Sequence, residues 1–309
     1  MIYTLTLNTA IDMNIRCLPL QAAAVNRTKS TYYSPNGKGV NVARVLLHFQ
    51  RAAKVLGFFG GFTGRYIVDE LTSAGCQVSP TWVEEPTRIN VFINDSQQEY
   101  KVVSAGSYIP ESAQRELIEH INKLTDADYL VVSGSLPPGV EYQFYHQIMT
   151  LCQKKNIAVI LDISHSCLEQ LLEYHPLLIK PNDEEVREIF GFDVKSHEQA
   201  VVAIKYIHQR GARNILLSMG DKGLYFSNGQ HLYFCNALQI ELISSACSGD
   251  AALAAFLSVW LINGDVKAAM ALACATGADV AGSDGLGQLD RVTRYLSQIN
   301  VEQISKVDL

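Results

Sequence analysis

The chain has no Cys-x-x-Cys: its seven cysteines, at 17, 76, 152, 167, 235, 247 and 274, are odd in number and scattered. That argues against a disulfide framework and a thiolate metal site, and a reducing, cytoplasmic setting is expected. Among eight histidines there is no His-x-x-x-His pair, so a zinc hydrolase site of that kind has no support. No basic segment precedes the apolar stretch of Met1 to Asp12, and the longest nearly apolar run, Ala251 to Ile262, is too short to span a bilayer. A soluble, unexported protein with no membrane partner is expected. Positive charge is also scarce. With 25 Lys and Arg against 31 Asp and Glu, the net charge of −6 argues against nucleic acid as a partner, and an anionic ligand would need a local basic cluster. Neither a Walker A spacing nor Gly-x-Gly-x-x-Gly occurs.

What is present suits one large core. The 309 residues are 48% hydrophobic and 18% charged, without repeats or an obvious linker, and one domain over 1–309 is expected. Apolar runs at Ile2–Leu7, Val55–Phe59, Tyr129–Ser133, Ala158–Asp162, Leu177–Ile179 and Asn214–Ser218 read as strands buried on both faces. Amphipathic stretches at Val40–Phe49, Tyr66–Ala74, Gln114–Lys123, Tyr142–Lys154 and His197–Gln209 lie between them. This alternation predicts an α/β sandwich with a mostly parallel sheet. Two regions, about 13–36 and 88–104, alternate at half-polar strand spacing and predict a small separate sheet. On pattern alone it reads equally as a lid or as an exposed pair of hairpins.

Five segments carry candidate chemistry. Cys247-Ser248-Gly249-Asp250 opens a long helix, whose unpaired first amides suit a phosphate and whose Asp250 is placed to act as a base. The same helix end predicts a lowered Cys247 thiol pKa. Gly37-Lys38-Gly39 starts another helix, with Asn41 one turn in. Lys180-Pro181-Asn182-Asp183-Glu184-Glu185 follows a buried strand, where a hydrated magnesium ion would find oxygen ligands. Ser218 to Gly223 joins two strands, and Ser133 to Gly139 ends another. Taken singly, each also has an ordinary reading as a cap or turn.

In combination and in order, these segments resemble the PfkB, or ribokinase-like, family of carbohydrate kinases over the whole chain. Gly37 to Leu46 is similar to its first signature, Lys180 to Glu185 to its magnesium segment, Ser218 to Gly223 to a nucleotide loop and Cys247 to Asp250 to its anion hole. Asn8 to Asp12, Val25 to Arg27, Thr87 to Asn90 and Gly134 to Gly139 resemble the branch acting on phosphosugars. Two positions depart from the pattern: Asn36 replaces a common glycine, and Cys247 stands for the first glycine of the anion hole. Near the C-terminus, Ala278-Asp279 and Ser283-Asp284-Gly285 depart as well.

The resemblance implies a three-layer α/β/α domain with a β lid, using ATP and Mg2+ to phosphorylate a sugar phosphate, as a monomer or homodimer. Asp250 would be the base, with Cys247, Ser248 and Gly249 as the anion hole. Asp12, Arg27, Gly37, Lys38, Asn41 and Arg88 would bind the sugar phosphate, with Arg27, Arg88 and Lys38 as the local basic cluster. Lys180, Ser218, Gly220 and Gly223 would face the nucleotide, and Asn182 and Glu185 the metal. Fructose 1-phosphate, giving fructose 1,6-bisphosphate, is the expected acceptor, with tagatose 6-phosphate and fructose 6-phosphate as alternatives. A non-catalytic phosphosugar or nucleotide sensor on the same fold is the alternative of another class.

Overall fold

A computed structural model describes residues 1–304, so residues 305–309 of the expected 1–309 unit lie outside the described residues. The chain opens with β1 (Ile2–Thr6), β2 (Ala10–Cys17), β3 (Thr28–Asn36), α1 (Lys38–His48), β4 (Ala53–Gly60), α2 (Gly61–Ser73) and β5 (Gln77–Val83). It continues through β6 (Arg88–Asn94), β7 (Glu99–Val102), α3 (Glu111–Lys123), β8 (Tyr129–Ser133), α4 (Gln143–Lys155), β9 (Ala158–Asp162), α5 (Leu168–Leu171), β10 (Leu178–Ile179), α6 (Asp183–Phe190) and α7 (His197–Gln209). Then follow β11 (Ile215–Ser218), β12 (Leu224–Ser227), β13 (Leu232–Cys235), α8 (Ser248–Asn263), α9 (Val266–Ala281), α10 (Val292–Leu296) and β14 (Val301–Gln303).

Ten of these strands form one sheet in the order β14-β13-β12-β11-β10-β9-β8-β1-β4-β5. From β5 to β11 the neighbours are parallel, and β12 to β14 add an antiparallel edge. Successive side chains of a strand face opposite ways, which divides the core into two layers. Leu130, Val132, Leu161, Ile179 and Leu217 pack towards α3, α4, α6 and α7. Val131, Ile160, Leu178 and Leu216 pack towards α1, α8 and α9. Both faces are covered, which is why these strands read as unbroken apolar runs. The helices make the outer layers of the expected α/β/α sandwich.

The half-polar regions form the second sheet, ordered β3-β2-β6-β7. It begins at Ala10, three residues before the predicted edge at 13, because Ala10 pairs with both Asn36 and Arg88. Asp12 thereby stands opposite Ser34 on one side and Asn90 on the other. Ser218 to Gly223 is the connection of the antiparallel β11–β12 pair. Among the described residues, no helix is long and apolar enough to cross a membrane.

Candidate active site

The helix α8 brings its start to the C-terminal edge of the main sheet. Cys247 caps it in the left-handed region, at φ 63°, a conformation uncommon for a residue with a Cβ. The first helical hydrogen bond runs from Ala251 N to Cys247 O at 2.9 Å, so the amides of Ser248, Gly249 and Asp250 precede the ladder and remain available to an anion. Gly249 leaves room for a cation, since a Cβ there would lie 3.3 Å from Lys180 Nζ. Asp250 is buried and accepts a hydrogen bond from Asn41 Nδ2 at 2.9 Å. Burial and the nearby Asp162 carboxylate push its carboxyl up to about 6, against the opposing pull of Lys38, Asn41 and Lys180. This suits a group that must accept a proton near neutrality.

The expected lowering of the Cys247 thiol is overturned. Burial pushes it up and the carboxylates of Asp250 and Asp12 push in the same direction, against the opposing pull of Arg44 and Asn41. Its sulfur accepts from Asn41 Nδ2 at 3.3 Å.

Behind Asp250 lies a carboxylate that the motif reading missed. Asp162, the last residue of β9, is fully buried, and its Oδ1 takes both Lys38 Nζ and Lys180 Nζ at 3.2 Å. Burial alone would raise its pKa, but Lys180 and Lys38 outweigh burial and hold it below the usual carboxylate range. Asp162 Oδ2 is buried without a hydrogen-bond partner among the described residues. The available signal was position: a carboxylate at the C-terminal end of a buried parallel strand, where α/β sheets bind ligands. Lys38 also reaches Ser164 Oγ at 3.4 Å and lies 4.0 Å from Glu185 Oε1. The structure therefore places Lys38 with Lys180, Asp162 and Glu185, not with Arg27 and Arg88.

Asn182 and Glu185 form a reciprocal cap of α6. Asn182 Oδ1 accepts from Glu185 N at 2.7 Å, and Glu185 Oε2 accepts from Asn182 N at 2.9 Å. The remaining oxygen, Oε1, accepts from Ser164 Oγ. The cap holds the Glu185 carboxylate at the strand end beside Lys38. No group of three or more His, Cys, Asp or Glu placed to hold a metal occurs among the described residues. The loop from Ser218 to Gly223, expected from the sequence to face a nucleotide, adjoins this segment. Ser218 bridges to Asn182 and donates its amide to Pro181 O at 3.0 Å. Gly220 faces open space, whereas a Cβ on Gly223, at φ 113°, would lie 2.2 Å from Cys235 O.

The second sheet supplies the opposite wall. Asp12 is buried, and its Oδ1 accepts from Asn90 Nδ2 at 2.9 Å while Oδ2 accepts from Asn36 Nδ2. Burial raises its pKa in spite of those donors and Arg88. Gly37 has φ 129° and stands where a Cβ would come 2.6 Å from Thr6 Cγ2, so the start of α1 can press against β1. Arg88 donates to Ser104 O at 2.7 Å and to Asn8 O at 3.2 Å, and its Nε is buried without a partner among the described residues. A cleft of about 290 Å³, lined by Asp12, Asn14, Arg16, Tyr32, Phe92 and Cys247 among others, is bounded by the second sheet, the segment leading into α8 and Asp284 with Gly285. Arg27 is the outlier. It is exposed, next to the Cys17–Thr28 pair, whereas the site end of the same ribbon is the Ala10–Asn36 pair. At about 3.4 Å per residue the two ends are on the order of 25 Å apart. The predicted cluster of Arg27, Arg88 and Lys38 is thus not assembled within this chain.

A model of the pfkB family carbohydrate kinases matches residues 5–291. The chain belongs to this family. A Klebsiella oxytoca relative named D-tagatose-1-phosphate kinase is 57% identical over 98% of this chain and 100% of its own length. The 1-phosphofructokinase of Bacillus subtilis is 33% identical over 98% and 100%. The crystal structure of phosphofructokinase-2 from Escherichia coli in complex with fructose-6-phosphate superposes with a TM-score of 0.86 at 25% identity, covering 96% of this chain and 99% of that one. Ribokinase-like architecture and phosphosugar kinase activity follow for this pfkB kinase.

The departures from the family pattern acquire structural reasons. Asp279 is fully buried, and its carboxylate accepts from Arg291 N at 2.7 Å and Arg291 NH2 at 2.9 Å, closing the end of α9. In this pfkB kinase Asp279 is therefore charge-paired within the fold. Asn36 and Cys247 lie in one network, because Asn41 Nδ2 also reaches Asn36 Oδ1 at 2.8 Å.

Proposed function

We propose that the chain transfers the γ-phosphoryl group of ATP to the C6 hydroxyl of a ketohexose 1-phosphate, with D-tagatose 1-phosphate as the preferred acceptor. The observation that carries this reading is the 57% identity, over essentially the whole of both chains, to a relative named for that sugar. Fructose 1-phosphate, the acceptor expected from the sequence, has the same phosphate position and differs only in configuration at C4.

Asp250 takes the proton from the attacking hydroxyl as its oxygen forms the new bond to phosphorus and the bond to ADP breaks. The first-turn amides of Ser248, Gly249 and Asp250, with Lys180 beside Gly249, offset charge on the phosphoryl group in transit. Asp12 and Asn41 hold sugar hydroxyls, Arg88 the acceptor phosphate, and Ser218, Gly220 and Gly223 the nucleotide side. The unpartnered Asp162 Oδ2 and the Glu185 carboxylate braced by Asn182 fit a hydrated magnesium ion, which takes one or two carboxylates together with waters and phosphates. When bound, that ion would neutralise charge on the ATP phosphates. The second sheet acts as a lid that keeps water from the transfer. Free, mostly buried cysteines suit the reducing cytoplasm.

A coupled assay of ADP release with the 1-phosphates and 6-phosphates of D-tagatose and D-fructose tests the reading. The highest kcat/KM is expected with tagatose 1-phosphate. Preference for either 6-phosphate would refute it, and ligand binding without ADP release would restore the sensor alternative.

A further inference from the structure

Two buried carboxylates, Asp12 on β2 of the second sheet and Asp250 at the start of α8, are joined by an unbroken chain of side-chain hydrogen bonds. Asn36 is its middle member. Its Nδ2 donates to Asp12 Oδ2, and its Oδ1 accepts from Gly37 N and from Asn41 Nδ2 at 2.8 Å. Asn41 Nδ2 in turn faces Asp250 Oδ2 at 2.9 Å and Cys247 Sγ at 3.3 Å. The chemistry of the neighbours dictates the orientation of the amide: a carboxylate accepts, a backbone N–H donates, so the Asn36 nitrogen must face Asp12 and its oxygen Gly37. A glycine at 36 would leave Asp12 Oδ2 and Asn41 Nδ2 each without this partner. An aspartate would keep the acceptor for Gly37 and Asn41 but turn a second carboxylate towards Asp12.

We propose that Asn36 is a positioning residue that couples acceptor recognition at Asp12 to the base at Asp250, and so makes turnover depend on the configuration of the sugar hydroxyl that Asp12 holds. The inference rests on the kinase reading above. Asp12 is immobilised by two amides, Asn36 and Asn90, one on each carboxylate oxygen. A carboxylate held at both oxygens presents its remaining lone pairs in fixed directions, and a hydroxyl of the wrong configuration cannot meet them. Losing the Asn36 donor frees one oxygen to rotate towards either epimer. Losing the Asn36 acceptor instead lets the Asn41 amide turn, and the base loses its orientation.

The test compares wild type, Asn36→Ala and Asn36→Asp on tagatose 1-phosphate and fructose 1-phosphate, with kcat and KM resolved and folding followed by circular dichroism. For wild type a preference of at least roughly tenfold in kcat/KM is expected, the scale of leaving one buried polar group unpaired. Asn36→Asp is expected to raise KM and erase most of that preference while largely keeping kcat. Asn36→Ala should erase it and lower kcat as well. An equal loss on both sugars in a folded Asn36→Asp variant, with the preference intact, would overturn the proposal. If wild type turns over neither sugar, the kinase reading fails first, and the coupling with it.

Discussion

The two sheets hold their buried carboxylates in different ways. At the end of the main sheet's β9, Asp162 is paired with two lysines, and Lys38 extends the charge network to Glu185. In the second sheet, Asp12 is held by two neutral amides. The two ammonium groups surround the main-sheet carboxylate with positive charge, whereas the two amides fix the direction of the second-sheet carboxylate without adding charge. Their titration follows suit: ammonium groups hold Asp162 below the usual carboxylate range, whereas amides leave burial to raise Asp12. Asp250 sits where the two networks meet, with Asn41 on one side and the lysines on the other.

The largest effect is expected at that junction. Asp250→Asn preserves shape and the acceptor for Asn41 but cannot take a proton, and should lower kcat by roughly 10²–10⁴ with sugar binding retained. Wild-type kcat/KM should fall about tenfold per pH unit below about 6, since only the ionised carboxylate acts as base. Stability should move the other way. An acid raised in the folded state binds its proton more tightly there than in the unfolded chain, so stability is lost as pH climbs from about 4 to about 6. Asn at 250 should remove that loss. A pH–rate profile and thermal melts on both proteins measure the two trends, and a flat profile across this range would remove Asp250 as the base.

Next, exchanging each sheet's carboxylate for its amide separates charge from direction. Asp162→Asn leaves two lysines short of a counter-charge and should cost about 3 kcal/mol in a denaturant titration. Asp12→Asn should cost far less stability and appear chiefly as a raised acceptor KM. Similar stability losses in both variants would erase the contrast between the sheets.

The smallest contrast concerns the arginines. Arg88→Ala should weaken sugar-phosphate use by about 1.5–3 kcal/mol with ATP affinity little changed. Arg27→Ala should do less, because Arg27 stands at the far end of its ribbon. Separate titrations of ATP and sugar check both. A larger effect at Arg27 would mean that the acceptor phosphate is bound away from Arg88.

Residue patterns alone determined the sheet and the start of the long helix α8. Tyr129–Ser133 and Ala158–Asp162 match observed strands because strands covered on both faces must be apolar throughout. The start of α8 was legible because a small-residue turn before a long apolar helix marks a helix start, and first-turn amides are unpaired in any helix. Tertiary structure decided the partners. Lys38 turns to Asp162, which is distant in sequence, because α1 runs beside β1 and brings the lysine to the end of β9. Register at Ala10–Asn36 and Cys17–Thr28 sent Arg27 to the far end of the ribbon, although motif order had grouped it with Arg88. For Cys247 the local rule pointed to a lowered pKa, and burial beside Asp250 and Asp12 reversed it. Helix and strand patterns follow from forces along the chain itself. Charge pairing and titration depend on what the fold packs within a few ångströms, which spacing along the sequence does not encode.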